Sequence, residues 1–191
     1  MNNRNWIVLI IGGASGTGKS EIAYKIARHY GINVLEFDDI HCAVKPFATE
    51  ENHPALFDKD GHDWMNLGVE RNVNWLKDVS RELADTLKRL VDRHTEDNLP
   101  VIIEGDFILP ESVKQLLTPS VKALFVQEPD INQIIRNYQS RESGEPQTYR
   151  SEICVSYNDY IRKSCNELGV AMLESRPWDT ALQRTIELLE N

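Results

Sequence analysis

Eight consecutive residues carry the clearest chemistry in this chain: Gly13, Ala14, Ser15, Gly16, Thr17, Gly18, Lys19 and Ser20. They match G-x-x-x-x-G-K-[ST] at every position, the pattern of a phosphate-binding loop. Glycines let the backbone wrap an anion, so that successive N–H groups point inward at it. A helix starting near Ser20 adds its positive end. Lys19 supplies a charge near β- and γ-phosphates, and Ser20 offers a hydroxyl to Mg²⁺. The bland alternative is a glycine-rich turn followed by a chance Gly-Lys-Ser. The apolar run before the loop and the helical pattern after it argue against that.

Acids stand where such a loop would need them. Asp38 and Asp39 follow a short apolar stretch, and Glu104 follows another. In a doubly wound sheet, ligands bind beyond the carboxyl ends of the strands, so these acids and the loop should share one crevice. A carboxylate there can accept a hydroxyl proton and align its oxygen with a γ-phosphate. Asp38 is favoured for that role and Asp39 as a helix N-cap. Glu104 suits Mg²⁺, directly or through water, with Asp106 a weaker alternative. Arg136, Arg141 and Arg150 flank the break ESGEPQTY. A mobile arginine can neutralise charge on a transferring phosphoryl group while excluding water, and Arg136 and Arg141 are preferred to Arg150. The competing reading of all three is a solvated, charged helix. Pro177, in Arg176-Pro177-Trp178, could flank an adenine ring; otherwise this is a helix-start turn with Trp178 packed as core. His29 and His94 suit helix ends. His53 and His62 lack metal-ligand spacing. Trp64 and Trp75 read as packing residues, Cys154 and Cys165 as buried small hydrophobes.

The elements that must hold these residues alternate between strand and helix. Residues 6–11, 34–37, 101–103, 121–126 and 170–173 read as five strands. Helices are expected over 20–30, in one long run from about 67 to 94, after Pro110, after Pro129, over 152–168, and from Asp179 or Thr180 to about 189. Residues 40–66 read as an irregular, functional loop. The expected architecture is α/β: a three-layer P-loop NTPase fold, its five-stranded parallel sheet covered by helices on both faces.

Composition narrows the class. The chain has 191 residues and 41% apolar content, enough for one core. A net charge of −9 disfavours nucleic acid and anionic membranes as partners. No apolar run is long enough to span a bilayer, and the start lacks a secretory pattern. Three cysteines without a CxxC pair fit a cytoplasmic location and exclude a cysteine zinc site. A GTPase switch would need Asn-Lys-x-Asp, which is absent. Asp58-Lys59-Asp60-Gly61 matches Asp-x-x-Gly by chance, since no strand precedes it, and it fails as a calcium loop because its glycine comes too early. A motor or AAA-type ATPase would be longer and carry an Asp-Glu pair ending a strand. Small-molecule kinases remain.

The segment 12–20 together with Asp38-Asp39-Ile40-His41 resembles the opening of the 2-phosphoglycerate kinase family. His53-Pro54-Ala55-Leu56, Trp64 and the long helix, then Val101-Ile102-Ile103-Glu104-Gly105 and Pro110, are similar to its middle section. Tyr157-Asn158-Asp159-Tyr160-Ile161 through Gly169-Val170 resembles its last third, so the likeness covers about residues 7–175. It implies an ATP- and Mg²⁺-dependent phosphotransferase with a nucleoside-monophosphate-kinase-like fold, Asp38 as the acceptor-side acid and the stretch from Arg136 to Arg150 as a lid. Two departures bear on the substrate: His41 stands where the family tends to place arginine, and larger members carry an additional N-terminal domain. Lys45, Arg71 and His41 are left to meet an anionic acceptor. The expectation is one kinase domain over residues 1–191, acting on a small hydroxylated metabolite bound by about 40–95 under a lid at about 130–150. Rival readings are a nucleoside or nucleotide kinase, an antibiotic phosphotransferase, and a non-catalytic ATP-binding regulator; intact Lys19, Ser20 and Asp38 speak against the last.

Overall fold

A computed structural model describes residues 4–57 and 64–190. The Asp58–Gly61 match and His62 lie outside the described residues. Five strands, β1 (Val8–Gly12), β2 (Asn33–Glu36), β3 (Val101–Gly105), β4 (Val121–Gln127) and β5 (Ala171–Glu174), form one parallel sheet in the order β2-β3-β1-β4-β5. β1 is central, and its register pairs Gly12 with Gly105 on one side and with Phe125 on the other.

Alternation of side chains assigns the two faces. Val8, Ile10, Val101, Ile103 and Phe125 point into one core. There they meet α4 (Val69–Glu82), α5 (Ala84–Glu96), α6 (Pro110–Lys114), α7 (Ile131–Glu142) and α8 (Thr148–Leu168) through residues such as Val79, Leu87, Val113, Ile134 and Tyr157. Leu9, Ile11, Ile102, Leu124 and Val126 point the other way. That face is covered by α1 (Lys19–Tyr30) and α9 (Ala181–Glu190), which bury Ile22, Ala23, Ile26, Ala181 and Leu189. β1 is buried along its whole length, which is why it reads as a continuous apolar run.

Three expectations about elements need correction. Residues 40–66 are not one irregular loop: α2 (Phe37–Val44) and α3 (Pro54–Phe57) lie there. Phe37 looks like the end of a strand because it is apolar, but it is buried from the first turn of α2. The long helix is two, parted at Leu83. Leu83 is itself a core residue, so apolar spacing runs through the pause without registering it. Finally, α7 reaches Glu142 and α8 begins at Thr148, so the break between them is shorter than the sequence suggested. Among the described residues, no helix is long and apolar enough to cross a membrane.

Candidate active site

The phosphate loop leaves β1 and enters α1. Gly13, Gly16 and Gly18 hold positive φ values of 150°, 76° and 92°, which side-chain-bearing residues rarely adopt. Space is equally restrictive. A Cβ on Gly18 would lie 2.0 Å from Trp178 Cη2, and one on Gly16 would lie 3.0 Å from Ile134 Cγ2. Thr17 Oγ1 donates to the Ala14 carbonyl at 2.8 Å, and Asn137 Nδ2 donates to the Gly16 carbonyl at 2.7 Å, tying the loop to itself and to α7. No side chain caps the N-terminus of α1. Its first-turn N–H groups are thereby left for an anion.

Lys19 is 7% exposed and forms an ion pair with Asp106. Burial works against its charge, but Asp106, Glu104 and Asp38 outweigh burial and hold the ammonium above its usual range. Ser20 Oγ donates to Glu104 Oε1 at 2.9 Å. Glu104 is 3% exposed, and its Oε2 is buried without a hydrogen-bond partner. Burial, first of all, raises its pKa against the pull of Lys19 and Ser20. A buried carboxylate oxygen with spare lone pairs beside a hydroxyl is a donor set that fits Mg²⁺, which takes one or two protein oxygens and completes its shell with phosphates and water. Among the described residues, no group of three or more His, Cys, Asp or Glu could hold a metal unaided.

Asp38 sits in the first turn of α2 and accepts from the Asp106 backbone N–H at 3.0 Å. Burial, then the charge of Asp106, push its carboxyl up to about 7, while Lys19 and the Asp106 N–H pull the other way. The approach is close: a Cβ on Gly105 would lie 2.9 Å from Asp38 Oδ1 and 2.9 Å from Phe37 Cβ. Glycine between Glu104 and Asp106 is therefore what lets α2 dock on the end of β3. Asp39 is exposed and does not act as the cap; Glu36 holds that position, without a side-chain cap bond. Asp106, the weaker sequence candidate, is central: its side chain meets Lys19 and its carbonyl accepts from Tyr157 Oη at 3.1 Å.

Two cavities flank the loop. One, about 330 Å³, is lined by Gly18, Lys19, Ser20, Tyr138, Arg141 and Trp178. The other, about 390 Å³, opens beside Ser15 and Asp106 and is lined by Trp64, Trp75, Phe107, Tyr157 and Arg150 among others. Buried Tyr138 stands beside Gly16, with the guanidinium of Arg141 5.2 Å and that of Arg150 4.2 Å from its ring centroid. Both arginines also pair with Glu142.

The structure therefore brings together residues 13–20, Asp38 and Glu104, with Arg141 at the first cavity. Arg136 lines neither cavity; it bonds Gln133 and Asp130 on the exposed side of α7. Arg150, ranked below it, lines the second. Pro177 lies in a neighbouring pocket with Glu128, Arg176 and Trp178, and it is Trp178 that reaches Gly18. Trp64 and Trp75 pack against the core as expected and line a cavity as well. His41, Lys45 and Arg71 are absent from the second cavity's lining. His41 packs on Phe107 and burial, then Lys45, lowers its pKa. Lys45 sits over the Phe57 ring. Tyr138 and Asn137 escaped the sequence reading because no local motif marks a residue that meets the loop from a different helix.

The architecture is shared with P-loop kinases of known structure. Shikimate kinase from Acinetobacter baumannii superposes with a TM-score of 0.56 at 14% identity, covering 98% of this chain and 93% of that one. A gluconokinase from Sinorhizobium meliloti 1021 gives 0.53 at 15% identity, covering 98% and 94%. The fold is that of the P-loop kinases. The isopentenyl transferase family model, also of P-loop type, matches residues 6–114, and the chain belongs to that family. Among curated proteins, 2-phosphoglycerate kinase of Methanocaldococcus jannaschii is 25% identical over 183 residues, 90% of this chain and 59% of that protein. Mevalonate-3-phosphate 5-kinase of Thermoplasma acidophilum is 25% identical over 203 residues, 98% of this chain and 96% of that protein. The chain spans less than two thirds of the 2-phosphoglycerate kinases it matches.

Proposed function

We propose that this chain is an ATP- and Mg²⁺-dependent phosphotransferase that moves a γ-phosphoryl group to a hydroxyl of a small metabolite. The observation that carries this reading is the convergence of Lys19, the Ser20–Glu104 pair and the Asp38–Asp106 pair on the loop between two cavities. The cavity beside Gly18 and Trp178 takes the nucleotide, and the one beside Asp106 takes the acceptor. The acceptor region draws Trp64 and Trp75 from within residues 40–95, and the α7–α8 turn serves as the lid, all within one domain.

The loop amides and Lys19 bind and orient the phosphates. Ser20 and Glu104 hold Mg²⁺, which when bound neutralises phosphate charge. Asp106 faces the acceptor hydroxyl, and Asp38 braces it through the backbone. The carboxylate pair takes the hydroxyl proton as the new P–O bond forms and the bond to the ADP oxygen breaks. Arg141, beside the loop and Tyr138, closes over the nucleotide cavity to exclude water and spread the developing charge.

The family model invites a second outcome, isopentenyl transfer, but it ends at residue 114. It leaves out β4, α7, α8 and β5, whereas the likeness to the two kinases named above spans 90–98% of the chain. The test is product detection. The full chain is incubated with ATP and Mg²⁺, and with a panel of hydroxy acids, phosphorylated alcohols and nucleosides; a parallel arm supplies an isopentenyl diphosphate donor. Acceptor-dependent ADP release with a phosphorylated product is expected, and is lost in Lys19→Met. ATP binding without acceptor-stimulated turnover would favour a regulator, and a prenylated product would overturn the kinase reading.

A further inference from the structure

The acceptor cavity is walled mostly by aromatic and apolar side chains. Trp64, Trp75, Phe107 and Tyr157 present four aromatic rings, and Leu76 and Ile153 extend the apolar surface. The rings are braced rather than loose. Trp75 and Phe107 meet edge to face with centroids 5.7 Å apart, and Trp64 stacks on Tyr149 at 5.8 Å. Trp75 Nε1 donates to the Ala55 carbonyl at 3.0 Å, and Tyr157 Oη to the Asp106 carbonyl at 3.1 Å. The polar ends of those two rings are thus already engaged within the protein. Among the described residues lining the cavity, Arg150 carries the one positive charge, and Asp106 is the one carboxylate.

We infer that the acceptor is a small molecule with a hydrocarbon body, one anionic group read by Arg150, and a hydroxyl presented to Asp106. A polyol would have to leave most of its extra hydroxyls against aromatic carbon, because Ser15, Asp106 and Arg150 are the few lining side chains able to replace lost water. A multiply charged acceptor would find one guanidinium, already shared with Glu142. This inference rests on the phosphotransferase reading for the fate of the hydroxyl, but not for the selectivity of binding.

Three probes of equal carbon number separate the possibilities: 6-hydroxyhexanoate, gluconate and 1,6-hexanediol. The first two share a carboxylate and a terminal hydroxyl and differ in the hydroxyls between; the third lacks the anion. Affinities are measured on the full chain with MgATP analogue present, by calorimetry, and turnover by ADP release. 6-Hydroxyhexanoate should exceed gluconate roughly tenfold or more, as expected when a hydrophobic site discriminates against added hydroxyls. It should exceed hexanediol by a similar factor, roughly tenfold, through its charge-assisted bond to Arg150. Arg150→Gln should erase the second preference and keep the first. Trp75→Ala should narrow the first, and Trp75→Phe should retain it if loss of the indole alone disturbs folding. Gluconate binding as well as 6-hydroxyhexanoate, or no binding by either, overturns the inference. Turnover of gluconate with no preference would do so while leaving the kinase reading intact. Ranked binding with no transfer in any arm would support the inference and count against the kinase reading.

Discussion

Three carboxylates gather around one lysine, and burial raises two of them, Asp38 and Glu104, above the usual carboxylate range. The Asp38 carboxyl is raised to about 7 by burial and by Asp106. A base must be ionised to work, so kcat/KM should rise with pH along an acid limb centred near 7. Asp38→Asn should flatten that limb and lower turnover roughly 100-fold, within the usual range for a general base. ATP affinity should change little, because the loop and Lys19 are untouched. Asp106→Asn should lower turnover by a similar factor and also raise the acceptor KM, since Asp106 lines the acceptor cavity. Full activity in Asp38→Asn would leave Asp106 as the sole base. The same shift has a consequence for stability. A carboxyl whose folded pKa lies above its unfolded value makes folding less favourable once pH passes the unfolded value, and the loss is complete above the folded one. Asp38→Asn should therefore match the parent near pH 4 and become more stable than it by pH 8, by about 1–3 kcal/mol. Urea unfolding at the two pH values measures this. The asparagine oxygen can still accept from the Asp106 N–H, which keeps the geometry comparable.

Elements act here by how closely they approach. Gly105 lets the first turn of α2 rest on β3, and Gly18 lets Trp178 rest on the loop. Gly105→Ala must displace Phe37 Cβ, a backbone-anchored atom, and should cost about 1–3 kcal/mol by overpacking. Its larger effect should be on turnover, because Asp38 and Asp106 move apart with α2. Denaturation midpoint and kcat measured on one preparation would separate the two; a loss of midpoint with kcat unchanged would contradict this account. Gly18→Ala adds a side chain at φ 92° and 2.0 Å from an indole carbon. Strain of about 1–3 kcal/mol is expected. Nucleotide affinity should drop roughly tenfold or more as the cradle and α1 shift. The α7–α8 turn is organised by Glu142, which Gln147 and then Arg141 hold down to about 2, and which also pairs with Arg150. It stays ionised at any working pH and fixes where both guanidinium groups sit over Tyr138.

For the molecule as a whole, two cavities are each lined in part by one loop, and ligands that fill them should stabilise the fold. A ligand at 100 times its Kd adds about 2.7 kcal/mol to folding. For a chain of this size that corresponds to a rise of about 5–10 °C in Tm. MgATP should produce such a rise in the parent protein and little in Lys19→Met. Equal rises in both would show that the nucleotide binds away from the loop. The faces of the sheet are unequal in this respect. The core under α1 and α9 holds the start of the loop helix, while the core under α4–α8 supplies the aromatic wall and both arginines.

Much of this was legible in the chain itself. The loop, the buried strand before it and the helix after it are contiguous, so their chemistry is local and spacing alone identifies it. The five strands and the acids at the ends of β2 and β3 follow from apolar runs broken by polar residues, again a short-range property. What spacing could not decide was which distant side chains meet. Asp38 rather than Asp39 turns inward because Phe37 is anchored in the core at the start of α2. Asp106 reaches Lys19 because β3 lies beside β1 in register. Arg150 rather than Arg136 lines a cavity because α8 packs across the end of β3, while Arg136 lies on the outer side of α7. Each of these depends on a crossover connection and on packing between elements far apart along the chain, and a local pattern of residues carries no record of either.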